Sequence, residues 1–162
     1  MPTTNEPGAT ILTSPSDREV VITRVVDAPR RLVFEAWTQP EHLPHWMTGP
    51  EGWSMPVCEI DLRVGGTWRF VLRGPDGQEM ELTGVYKEVK PPEKLVSTSS
   101  WGAPWPETLD TLLLTERGGK TTITQTILYP SKAARDAALQ TGMKEGMSVG
   151  LDRLERYLQT SA

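Results

Sequence analysis

Hydrophobic and polar positions divide the chain into regions of different period. "REVVITRVV", residues 18–26, is rich in β-branched residues and predicts the first strand. In "DAPRRLVFEAW" Pro29 suits a first helical turn, and Leu32, Val33, Ala36 and Trp37 form an apolar helical stripe. Pro40 stops that helix. "PEHLPHWM" predicts a short second helix or turn interrupted by Pro44. From residue 57 the period falls to two. "VCEIDL" reads as a short strand, and Gly65-Gly66 as a turn or bulge. "TWRFVLR" puts Trp68, Phe70 and Leu72 on one face with Arg69 and Arg73 on the other. "GPDG" has hairpin-turn chemistry, and "EMELTGVYKEV" then places Met80, Leu82 and Tyr86 on one face. "LVSTSSW" follows a "PPEK" turn, and "TLDTLLLTE" and "TTITQTILY" flank the hairpin signal "RGGK".

Residues 131–159 predict one long C-terminal helix capped by Ser131, with Leu139, Met143, Met147, Leu151, Leu154 and Leu158 on its apolar face. The element order is strand, two short helices, about six antiparallel strands, long helix. Alternating strands need one covered face, and one long amphipathic element is present to cover it. The economical arrangement is α+β: a curved antiparallel sheet of about seven strands around the C-terminal helix. Residues 17–160 form one domain, and residues 1–16 are expected to be a disordered tail.

Glycine falls at 142, 146 and 150 of the long helix, where three glycines give up about 2–3 kcal/mol of helix propensity. Close packing on the sheet would explain the row. So would a widened space walled by the adaptable side chains of Met143 and Met147.

Composition narrows the class. The chain has 162 residues, enough for one domain with a sizeable core. Its formal charge of −4 is mild and interspersed, giving no sign of a nucleic-acid surface. No apolar run is long enough to span a bilayer, and no signal peptide is evident. The single cysteine, Cys58, permits no internal disulfide, so a reducing, cytoplasmic location is expected.

Catalytic signatures are sparse. His42 and His45 are the only histidines, and their spacing across Pro44 is not that of a metal site. Cys58 stands near Glu59 and Asp61, whose charges would raise rather than lower a thiol pKa. There is no nucleophile elbow, P-loop or dinucleotide fingerprint, so neither metal nor cofactor is expected.

Five blocks carry a resemblance: "APRRLVFEAWTQPEHLPHWM", "EIDLRVGGTWRF", "GVYKEVKPPEKLV", "LTERGGKTTIT" and "GMKEGMSVGLDRLERYL". Together they resemble the Hsp90-ATPase-activator-homologue-like family, within the START, Bet v 1 and polyketide-cyclase superfamily, over roughly residues 18–159. The resemblance implies a helix-grip fold with a cavity between sheet and long helix. It does not imply one reaction, because the superfamily includes lipid carriers, hormone receptors and cyclases. The eukaryotic co-chaperones that named the family carry a further chaperone-binding N-terminal domain. Here a short tail precedes the first strand, so a chaperone-activating role is not expected. Many relatives have tryptophan where Met147 stands, which implies a differently shaped pocket.

Three functions follow as expectations. The first is binding of a small, largely hydrophobic molecule, with Trp46, Trp68, Phe70, Tyr86, Trp101, Leu112, Met143, Gly146 and Met147 lining the cavity and Gln125 as a polar anchor. The second is an enzyme of cyclase or hydrolase type acting on a hydrophobic cyclic substrate, using His45, Asp110 or Gln125. The third is a co-chaperone-like interaction module, and self-association as a homodimer is compatible with the chain.

Overall fold

The structure is a computed structural model that describes residues 9–49, 51–102 and 105–161. Eight strands form one antiparallel sheet: β1 (Thr10–Ser16), β2 (Glu19–Val26), β3 (Ser54–Ile60), β4 (Thr67–Arg73), β5 (Glu79–Lys90), β6 (Lys94–Ser99), β7 (Thr108–Arg117) and β8 (Lys120–Leu128). Their spatial order is β1-β2-β8-β7-β6-β5-β4-β3. Every neighbour is a hairpin partner in sequence except the pair β2–β8, which runs antiparallel from Glu19 opposite Leu128 to Val26 opposite Thr121. Helix α1 (Arg30–Thr38) and a 3-10 turn at Leu43–His45 follow β2, and α2 (Lys132–Leu139) and α3 (Met143–Ser161) end the chain. The open sheet and long C-terminal helix make this a helix-grip α+β fold.

Alternation decides which face is buried. In β2 the even positions Val20, Ile22, Arg24 and Val26 are all buried, and in β4 Trp68, Phe70 and Leu72 are. They join Leu82, Tyr86, Leu95, Leu112, Leu114 and Ile123 in one core. Leu151, Leu154 and Leu158 bring one face of α3 into the same cluster. Each such leucine contributes about 1.5–3 kcal/mol by leaving water. Arg24 is a charged member of this inner face, 2% exposed. Its guanidinium donates to Asp152 Oδ1 at 2.7 Å and Glu155 Oε1 at 3.1 Å on α3, and to Thr10 Oγ1 at 3.0 Å on β1. One side chain thus ties sheet, helix and edge strand together. Losing one partner of a buried ion pair costs about 3–5 kcal/mol.

The structure corrects the sequence reading in two places. Residues 10–16 are not part of a disordered tail. They form β1, making eight strands, while residues 1–8 lie outside the described residues. The segment's Ser and Pro content reads as unstructured, but an edge strand tolerates proline, and Pro15 falls at the register irregularity between Thr13 and Ser16. Second, the expected continuous helix is two helices. Gly142, at φ +76°, breaks the chain between α2 and α3 in a backbone conformation that favours glycine. The segment around Pro44, expected as a short helix or turn, is a single 3-10 turn.

Candidate functional site

The inner sheet face carries a row of polar residues among apolar ones. Gln125 on β8 stands in register between Ile22 of β2 and Leu112 of β7. Its Oε1 is buried and has no hydrogen-bond partner among the described residues. Asp110 on β7 pairs with Ile127 on one side and Ser97 on the other. It is therefore a diagonal neighbour of Gln125, about 7–8 Å away along the backbone. The Thr108 hydroxyl donates to Asp110 Oδ1 at 2.8 Å. Burial pushes the Asp110 carboxyl up to about 6, against the opposing pull of hydrogen bonds from Thr108 and Ser99. Tyr129, just past β8, is buried on the same face; burial and then the Asp110 charge push its phenol up to about 12. Its hydroxyl meets Met143 Sδ of α3 at 4.0 Å, a weak contact joining the sheet to the half-buried methionines.

Trp68 and Phe70 stack with ring centroids 4.6 Å apart and planes at 29°. Their neighbour across the ladder makes room: Gly84 faces Trp68, and a Cβ there would fall 2.3 Å from the indole and 2.1 Å from the Thr98 carbonyl. Glycine lets the indole lie against the β5 backbone. Tyr86 is 3% exposed, and its phenol is raised well above its ordinary range by burial, then by Cys58 and Asp61.

The other sequence-predicted positions are scattered around this region. Met143 and Met147 are half-buried against the core. Gly146 is exposed, and a Cβ there would meet no heavy atom within 4 Å; at Gly150 the nearest would be the Trp46 carbonyl oxygen at 4.0 Å. Trp46 is buried, packs edge-on to Trp37 with centroids 4.7 Å apart, and donates Nε1–H to the Ala36 carbonyl at 3.0 Å. Trp101 is 47% exposed beyond the end of β6.

His45 keeps different company. Its ring stacks on Tyr157 of α3 at 4.9 Å with planes 8° apart, and His42 Nδ1 lies 2.6 Å from the Tyr157 hydroxyl. His45 lines a surface hollow of about 280 Å³ with Arg153, Arg156, Tyr157 and Thr160. A second hollow, about 380 Å³, lies beside α1 and is lined by Phe34, Thr38, Leu62, Pro91 and Pro92 among others. Neither hollow includes Trp68, Gln125 or Asp110.

The Cys58 thiol is pushed up to about 11, first by burial and then by Glu41. The adjacent Glu59 and Asp61, on which the sequence argument rested, are not the source. The thiol is protonated at neutral pH either way. No group of three or more His, Cys, Asp or Glu suited to a metal occurs among the described residues. No helix among them is long and apolar enough to cross a membrane.

Sequence reasoning missed Arg24 and Tyr129. Arg24 was findable: in "REVVITRVV" it has the same parity as Val20, Ile22 and Val26. Tyr129 shares the parity of Ile123, Gln125 and Ile127 but stands one residue past the strand.

The family model described as Activator of Hsp90 ATPase homolog 1-like protein matches residues 27–159. The chain belongs to this family. A Rhodobacter sphaeroides protein of known structure is 28% identical, with a TM-score of 0.89 over 93% of this chain and 98% of its own. A Nitrosomonas europaea protein superimposes with a TM-score of 0.82 at 24% identity, covering 91% of this chain and 98% of that one. The AHSA1-like protein from Aeromonas hydrophila shares the fold at 20% identity and a TM-score of 0.66, over 87% and 93% of the two chains. No curated protein matches. Membership in the AHSA1-like family indicates a domain of ligand-binding or co-chaperone type, without naming a ligand.

Proposed function

We propose that this AHSA1-like domain binds a small, largely hydrophobic molecule between the inner sheet face and α3. The observation that carries the reading is Gln125: a buried side-chain acceptor without a partner, set between Ile22 and Leu112. An unsatisfied buried polar group costs about 1–3 kcal/mol, which a ligand hydrogen bond would recover. The stacked Trp68 and Phe70, with Tyr86 and Leu112, supply apolar contact area. Met143 and Met147, half-buried against the core, would supply an adaptable wall.

Native mass spectrometry after exposure to cell extract, with denaturing identification of any released molecule, tests the reading. A stoichiometric adduct is expected. Met147→Trp should fill space and weaken binding of that molecule by about tenfold or more without unfolding the protein, and Gln125→Leu should weaken it by roughly 3–10-fold through the lost hydrogen bond. Unchanged affinity in both variants would overturn this placement.

One observation favours a second reading, an enzyme acting on a cyclic hydrophobic substrate. A carboxyl raised to about 6, as at Asp110, can both accept and give a proton near neutral pH. An enzyme would release a changed compound, and Asp110→Asn would bind it without converting it. Under the binding reading the same variant leaves the captured molecule chemically intact.

A further inference from the structure

The hollow around Tyr157 shares no residue with the lining proposed above, and its chemistry is different. Its lining residues are His45, Arg153, Arg156, Tyr157 and Thr160, with no carboxylate among the described residues, in a chain whose formal charge is −4. Helical spacing sorts the charges. Arg153, Arg156, Tyr157 and Thr160 follow i, i+3, i+4, i+7 and share one face of α3. Asp152 and Glu155 are engaged by Arg24 at the sheet. The acids that would neutralise a basic face are thus held elsewhere.

The site is also built. The His45 ring lies flat on Tyr157, and His42 meets the Tyr157 hydroxyl, so the aromatic floor is held from the 3-10 turn. Arg153 Nη1 donates to Thr48 Oγ1 at 3.1 Å and to the Gly49 carbonyl, which fixes that guanidinium. Its Nε and Nη2 have no hydrogen-bond acceptor among the described residues. Arg156 is exposed and makes no ion pair or hydrogen bond among them. Two guanidinium groups and an imidazole therefore converge with donors in hand.

We propose that this hollow binds a phosphate monoester. A guanidinium fork matches phosphate as well as carboxylate, but two forks and a ring N–H offer more donors than the two oxygens of one carboxylate can accept. A dianion with three terminal oxygens uses them. The shared chemistry has two sources, a soluble phosphate ester or the headgroup of an anionic lipid.

The test is a titration of the full chain with phenyl phosphate, with benzoate, and with phosphatidylcholine vesicles with and without phosphatidic acid. The readouts are the NMR signals of the His45 ring and the Arg156 Nε–H. Saturable shifts are expected with phenyl phosphate, which should bind at least about tenfold more tightly than benzoate. Arg156→Gln should weaken that binding by about tenfold with no change in melting temperature, because it removes no ion pair or hydrogen bond among the described residues. His45→Ala provides a second variant with the same expected direction. Binding to phosphatidic acid vesicles but not to phenyl phosphate supports the phosphate chemistry and assigns the source to a lipid headgroup. Absence of saturable shifts in every arm, equal affinity for benzoate, or undiminished binding by Arg156→Gln would overturn the proposal.

Discussion

Asp110 is a carboxyl whose surroundings favour its protonated form, and that has a signed consequence. Unfolded, it titrates near the ordinary 3.8; folded, near 6. Between those values the native state holds a proton that the unfolded chain has released. Stability therefore falls as pH rises through that window, and the stabilisation present below 3.8 is lost above 6. Two pH units correspond to an upper bound of about 3 kcal/mol. Asp110→Asn should flatten urea-denaturation stability between pH 4 and 6.5 and raise it at pH 7 by no more than that bound of about 3 kcal/mol. A variant that keeps the wild-type slope would remove Asp110 as its cause. At this scale the sequence was informative about facing and silent about partners. Strand parity placed Gln125 and Asp110 inward beside Leu112 and Leu114. It could not show that Thr108 occupies one Asp110 oxygen while Gln125 Oε1 is left unpaired, because that depends on rotamers and on strands distant in sequence.

The glycines of the C-terminal segment separate by element. Gly142 is demanded by its positive φ at the joint between α2 and α3, whereas Gly146 lies inside α3 with open space around it. Gly142→Ala should destabilise by about 1 kcal/mol, because alanine is strained there. Gly146→Ala should stabilise by about 0.5–1 kcal/mol through helix propensity alone. Chemical denaturation of the two variants should move in opposite directions; equal losses would mean that Gly146 too is needed for packing. The periodic leucines and methionines made the helical segment legible. The joint was not, because the apolar period continues through Leu139 and Met143 as if the helix did. A turn over residues 140–142, with positive φ at Gly142, separates the two helices. The hairpins were legible for the opposite reason: "GPDG" and "RGGK" encode turns locally, and β4–β5 and β7–β8 form around them.

For the whole molecule, the strand hidden in the serine-rich segment matters most. β1 pairs with β2, places Leu12 against the core, and receives Arg24 and Arg135 through Thr10 and Ser14. Removing residues 1–16 should lower the melting temperature by more than about 5 °C, since each kcal/mol is worth roughly 2–4 °C in a chain of this size. An unchanged melting temperature would return this segment to the status of a tail. Element order announced the helix-grip architecture, since a long run of hairpins followed by one amphipathic helix has few ways to bury itself. The edge strand escaped notice because edge strands are built from residues that elsewhere signal disorder.

The pairing of β2 with β8 also sets an order of events during synthesis. β2 leaves the ribosome early, while the strand that must lie along its open edge begins at Lys120. The hairpins between them can form as they emerge, since each needs only its neighbour. β2 cannot be flanked on both sides until β8 has emerged, and α3 cannot settle against the inner sheet face before it has been made. A nascent chain halted before Lys120 should therefore remain protease-sensitive, because the native sheet is completed only when β8 reaches back across the intervening hairpins to β2.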